Sequence, residues 1–125
     1  MIEVQGVDYV RVPVTDIAQA KDFYGRVLGL PPGPSQLEDW VEYQAGNLTL
    51  AVMTPDSHDE ELSPIQSGTI GLRVADVAAA KAALEAEGVQ VNDIWDSGVC
   101  NGASFADPAG NQLTLHHRYV RHEQS

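Results

Sequence analysis

The chain has 125 residues, 43% of them apolar, and carries 18 acidic against 7 basic side chains, for a formal charge of −11. This is one domain's worth of chain, able to bury roughly two thirds of its unfolded surface, and too rich in aliphatic residues to be disordered. The charge argues against a nucleic-acid partner, and the single cysteine, Cys100, excludes an internal disulfide framework and a thiolate-rich zinc site.

The N-terminal stretch MIEVQGVDYV lacks the basic-then-apolar pattern of a signal peptide, and no later run has the length of a membrane span. A cytoplasmic chain with no membrane partner is expected. Val10, Val12 and Val14 then alternate with Arg11 and Pro13, the period of a half-buried strand. Thr15 or Asp16 caps a helix whose apolar face carries Ile17, Ala20, Phe23, Val27 and Leu28; Gly29 stops it, with Pro31 beyond. A further strand falls somewhere in Pro34 to Glu38. WVEYQAGNLTLAVM, Trp40 to Met53, reads as strand, turn and strand about Ala45-Gly46-Asn47. The polar, proline-bearing segment from Thr54 to Gly68 reads as a linker, with His58 solvated inside it.

The same order then repeats. Ile70, Leu72 and Val74 form a second buried stripe, and Asp76 caps a helix carrying Val77, Ala80 and Leu84 that ends at Gly88. Val89 to Trp95 supplies a strand, and ASFADPAGNQLTLHHR, Ala103 to Arg118, a hairpin turning at Pro108-Ala109-Gly110-Asn111. VRVPVTDIAQAK matches IGLRVADVAAAK, so the chain holds two copies of one βαβββ unit.

DYVRVPVTD with FYGRVLGL, followed by RVADV with FADPAGN at matching distances, resembles the vicinal oxygen chelate superfamily of glyoxalases, extradiol dioxygenases and bleomycin-resistance proteins. The resemblance runs from Val7 to about Tyr119. It implies an α+β fold in which two βαβββ units form a curled mixed sheet around a cavity, with helices on the outer face. The expected organisation is one domain over 1–125, with units at about 7–54 and 68–119 joined by an acidic linker, 55–67. A homodimer is expected too, since curled units expose edges that a two-fold partner can cover.

In metal-dependent members of that superfamily, four strand positions aim ligands into the cavity. Carried over by motif, they fall on Tyr9 and Thr69, seven residues before each helix-opening Asp, and on Thr49 and Thr114 after each Gly-Asn turn. Neutral hydroxyls are weak donors to a divalent cation, so no metal and no cofactor are expected.

The adjacent His116 and His117 are not a metal pair either, because neighbouring strand residues point to opposite faces. Leu113 and Leu115 belong against the helices with His117; Thr114 and His116 then face the cavity. The same parity sends Tyr9, Arg11 and Pro13, Thr69, Gly71 and Arg73, Thr49, Ala51 and Met53, and with them Glu42 and Trp40, to the cavity side.

The ligand-binding candidates are therefore Tyr9, Arg11, Trp40, Thr49, Thr69, Arg73, Thr114 and His116. They suit a small organic molecule bearing a carboxylate, enolate or phenolate. Arg11 and Arg73 have a second role open to them, pairing with internal acids. The expected function is metal-independent small-molecule binding of the glyoxalase/bleomycin-resistance type. The alternative is a glyoxalase-like lyase or isomerase working through an enolate-type intermediate, metal-free or with an atypical metal site. In it, His116 or Glu42 is the general base, and Arg11 or Arg73 stabilises the developing anion.

Overall fold

A computed structural model describes residues 2–54 and 69–120. The expected linker at 55–67, with His58, lies outside the described residues. The chain divides into two compact units, Met1–Pro64 and Ile65–Ser125. Each is α+β and follows one order of strand, helix and three strands.

In unit one, β1 (Val10–Pro13) leads to α1 (Ile17–Lys21), which widens into a π-helical stretch, Asp22–Val27. The strands β2 (Pro32–Gln36), β3 (Trp40–Gln44) and β4 (Thr49–Met53) follow. The sheet order is β1-β4-β3-β2, with β1 and β4 parallel and the other neighbours antiparallel. A parallel pair needs a crossover, and the helix supplies it. Unit two repeats the plan with β5 (Ile70–Arg73), α2 (Val77–Ala86), β6 (Trp95–Asp96), β7 (Cys100–Ala106) and β8 (Gln112–Arg118), in the order β5-β8-β7-β6.

Both helices begin as the sequence predicts. The Asp16 carboxylate accepts from the Gln19 backbone N–H, and Asp76 accepts from that of Ala79, each at 3.0 Å. Such a cap satisfies one of the backbone donors a helix start leaves free, a contribution of about 1 kcal/mol. The interior of the first helix differs from the expected 3.6-residue stripe. Leu28 N–H reaches back to the Phe23 carbonyl at 2.8 Å, one residue further than an α-turn. The wider turn brings Phe23 and Tyr24 under the helix together, both buried, while Val27 and Leu28 stay half-buried. Tyr24 stacks on Tyr43 of β3 with ring centroids 6.2 Å apart, and Phe23 meets Tyr24 edge-on at 5.2 Å.

Two strands differ in extent from their sequence limits. β2 starts at Pro32, because an edge strand tolerates prolines that lack a ladder donor; its register with β3 shifts between Pro32 and Gln36. β6 is only Trp95–Asp96, shorter than Val89 to Trp95. Val91 makes a single bridge to Phe105, and the Lys81 ammonium takes the Val91 and Asn92 carbonyls at 3.0 and 2.9 Å. Those acceptors serve the helix side chain instead of a continuous ladder.

The core of unit one joins Val12, Val41, Tyr43, Leu50 and Val52 to Ala20, Phe23 and Tyr24. In unit two, Leu113, Leu115, Ala103 and Phe105 bury with Val77 and Leu84 of α2, which packs on β7 and β8. Alternation leaves the opposite face of each sheet to the candidate site residues. Among the described residues, no helix is long and apolar enough to cross a membrane.

Candidate functional site

In unit one, the register aligns Arg11, Ala51 and Glu42 in one row across the sheet, and Pro13, Met53 and Trp40 in the next. All six share the face away from the helix. The row residues are engaged with one another. The Trp40 indole N–H donates to Glu42 Oε2 at 2.9 Å, and Tyr9 meets the Trp40 ring edge-on with centroids 5.4 Å apart. Thr49 donates its hydroxyl proton to Gln44 Oε1 at 3.2 Å. Glu42 thus has its carboxylate fixed by an indole on its own strand.

In unit two, one row across the sheet reads Gly71, Thr114 and Ser104, and the next reads Arg73, His116, Gly102 and Trp95. The Thr69 and Thr114 hydroxyls lie 2.9 Å apart, and Asn92 Nδ2 donates to Ser104 Oγ at 3.0 Å. The second row is more open. Among the described residues, neither Arg73 nor the ring nitrogens of His116 have a hydrogen-bond or ion-pair partner. Trp95 lies over Gly102, where any Cβ would come within 2.5 Å of the indole Cζ2 and 2.7 Å of the Leu115 carbonyl. The Trp95 and His116 ring centroids are 6.3 Å apart. His117 points the other way, its Nδ1 3.2 Å from the Val74 carbonyl, as strand parity requires.

The residue after Trp95 is clasped. The Tyr119 hydroxyl donates to the neighbouring Asp96 carboxylate at 2.5 Å, and the Gly98 N–H donates to the same oxygen at 2.8 Å. The Tyr119 hydrogen bond, and after it the Gly98 one, holds the Asp96 carboxyl below its ordinary pKa; the same carboxylate pushes the Tyr119 phenol up. Cys100, half-buried, lies 3.3 Å from the Ser97 hydroxyl.

The residues at the superfamily's metal positions do not fit a divalent ion. Thr69 and Thr114 are neutral hydroxyls hydrogen-bonded to each other, and Tyr9 is set against Trp40. The fourth position also shifts. The β3–β4 loop has four residues between the closing pair Gln44 and Thr49; the β7–β8 loop has five between Ala106 and Gln112. With Leu50 beside Val10 as Leu113 is beside Ile70, the register counterpart of Thr114 is Ala51, a methyl group, and Thr49 matches Gln112. Thr49 still shares the face. Among the described residues, no group of three or more His, Cys, Asp or Glu side chains could hold a metal ion. His116 and Glu42, the two candidate bases, lie in different units.

Residues 6–115 match the model of the Glyoxalase/Bleomycin resistance protein/Dioxygenase superfamily. A search of curated proteins gave no match. Among solved structures, the chain is similar to TnmS3, an antibiotic binding protein from Streptomyces sp. CB03234, at 27% identity and a TM-score of 0.77, covering 94% of this chain and 99% of that one. A glyoxalase/bleomycin resistance protein from the same organism shares 29% identity with a TM-score of 0.66, covering 84% of this chain and 94% of that one. Lactoylglutathione lyase from Agrobacterium tumefaciens, at 19% identity, shares the fold with a TM-score of 0.74 over 91% of this chain and 94% of that one. The family match over most of its length, on the two βαβββ units described, makes this chain a member of the glyoxalase/bleomycin resistance protein/dioxygenase superfamily.

Proposed function

We propose that this protein binds a small organic molecule without a metal ion, on the sheet faces turned away from the helices. The observation that carries the reading is the Thr69–Thr114 hydroxyl pair. Where metal-dependent relatives need imidazole or carboxylate, this chain places two neutral hydroxyls hydrogen-bonded to each other, beside a row whose guanidinium and imidazole have no partner among the described residues. The likeness to TnmS3, described as an antibiotic binding protein, supports the same reading.

The alternative, a metal-free lyase or isomerase, draws on one feature. His116 faces Arg73 across the β5–β8 pair, so a proton acceptor would stand beside a cation able to stabilise an enolate. Glu42, already accepting from Trp40, is the poorer base. As to partners, we propose a homodimer, supported by the exposed Ile94, Val99, Tyr119 and Val120 of unit two, which a second copy would cover.

A thermal-shift screen of small organic molecules in excess chelator tests the central reading, since a ligand that binds only the folded state raises Tm. Saturable stabilisation by an organic compound with chelator present is the expected result. Stabilisation that requires a divalent cation and disappears with chelator would overturn it.

A further inference from the structure

The row Arg73, His116, Gly102 and Trp95 combines groups that recognise different parts of one ligand. The row spans three inter-strand gaps, roughly 14 Å between its outer backbone positions. Trp95 extends back from the edge strand, with the benzo side of its indole over Gly102. The absence of a side chain at 102 is what lets the ring lie down on the sheet. Trp95 nonetheless remains 42% exposed, an aromatic surface left for something else to cover.

The opposite end of the row carries charge. The chain has 18 acidic side chains to 7 basic ones, so a cation without an acid beside it stands out. Arg26 is gripped by Asp22 at 2.6 and 3.0 Å, and Lys81 lies 3.6 Å from Glu85. Arg73 has no such partner among the described residues, and neither has His116 next to it. In unit one the matching row is Pro13, Met53 and Trp40, which has no cation and whose indole N–H is taken by Glu42.

We propose that this row of unit two is the seat of a planar aromatic acid, whose ring stacks on Trp95 and whose carboxylate or phenolate is held by Arg73 with His116 as second donor. The proposal rests on the small-molecule reading and names its ligand class. Each alternative class loses a contact. A cation would approach the Arg73 guanidinium, a neutral aromatic would leave that guanidinium unused, and a saturated acid would forgo the stacking surface. The overall charge of −11 does not reverse the preference, because at physiological ionic strength distant charges are screened beyond about 8 Å, whereas Arg73 acts at contact.

The test is binding of 2-naphthoate to the full chain in chelator, followed by ligand-observed NMR. 2-Naphthamide, 2-naphthylmethylammonium and cyclohexanecarboxylate serve as neutral, cationic and non-planar comparisons. Saturable naphthoate binding, at least about 10-fold tighter than each comparison, is expected. Trp95→Ala and Arg73→Gln should each weaken it about 10-fold, while Trp95→Phe, which keeps a ring, retains most of the affinity. Arg26→Gln, on the helix, should leave it unchanged. Equal naphthoate affinity in Arg73→Gln, or tighter binding of the ammonium, overturns the proposal. So does a Trp95→Ala protein that changes oligomeric mass but not naphthoate affinity, since Trp95 would then belong to an interface. Failure of naphthoate beside stabilisation by other organic molecules in chelator sinks the ligand class alone. Stabilisation by divalent metal only sinks the small-molecule reading as well.

Discussion

Gly102 and the two histidines show how much a single residue can carry. Strand parity alone separates His116 from His117, and the structure turns His117 to the Val74 carbonyl and His116 to the Trp95 face. The facing of Trp95 was not legible: the sequence offers it as a ring that could stack on a planar ligand, with core or dimer-interface packing as the default role. Its strand is two residues long, and the preceding Asn92 and Asp93 break the alternation that would have fixed its facing. The available signal was Gly102, a glycine inside a strand, which marks a close approach by another group. Gly102→Ala should cost about 1–3 kcal/mol in urea unfolding, because both the Trp95 ring and the Leu115 carbonyl stand in the methyl's way. An unchanged unfolding midpoint would mean that Trp95 does not rest there.

Elements were legible where local chemistry decides them. Asp16 and Asp76 announce their helices by cap position, and both caps form. Asp76→Ala should therefore lower stability by about 1 kcal/mol, read from chemical denaturation, with α2 otherwise unchanged. The π-turn of the first helix was not legible, because it answers to tertiary packing: Phe23 and Tyr24 are adjacent in sequence and both find room against the sheet. The short β6 is likewise a tertiary outcome, set by Lys81 capturing carbonyls from the helix and by the Tyr119–Asp96 clasp. That clasp predicts a pH dependence at two ends. Asp96 titrates lower in the folded state, so its contribution is complete above the ordinary carboxylate pKa and lost as pH falls through the lowered value. Tyr119 titrates higher, so its contribution is complete below the ordinary phenol pKa and lost as pH rises through the raised one. In Tyr119→Phe, an NMR titration should find the Asp96 carboxyl moved up toward its ordinary value; no movement would mean that the hydrogen bond does not form.

At the scale of the molecule, the repeat was the most legible feature, since VRVPVTD and IGLRVAD each open a strand-helix-strands unit with the same pairing order. What the repeat concealed was the loop of one extra residue in unit two, which makes Thr114 the counterpart of Ala51 rather than of Thr49. The two units share a scaffold and differ in what they present: a closed Trp40, Glu42 and Tyr9 group in one, an open Arg73, His116 and Trp95 row in the other. The charge of −11 acts on the whole chain, and Tm should rise with added sodium chloride as self-repulsion is screened. The measurement that bears most directly on the proposed metal-free binding is native mass spectrometry of untagged protein purified without chelator. A mass with no stoichiometric metal, shifted by a retained organic molecule, is the predicted result. One divalent ion per chain that survives buffer exchange would contradict it.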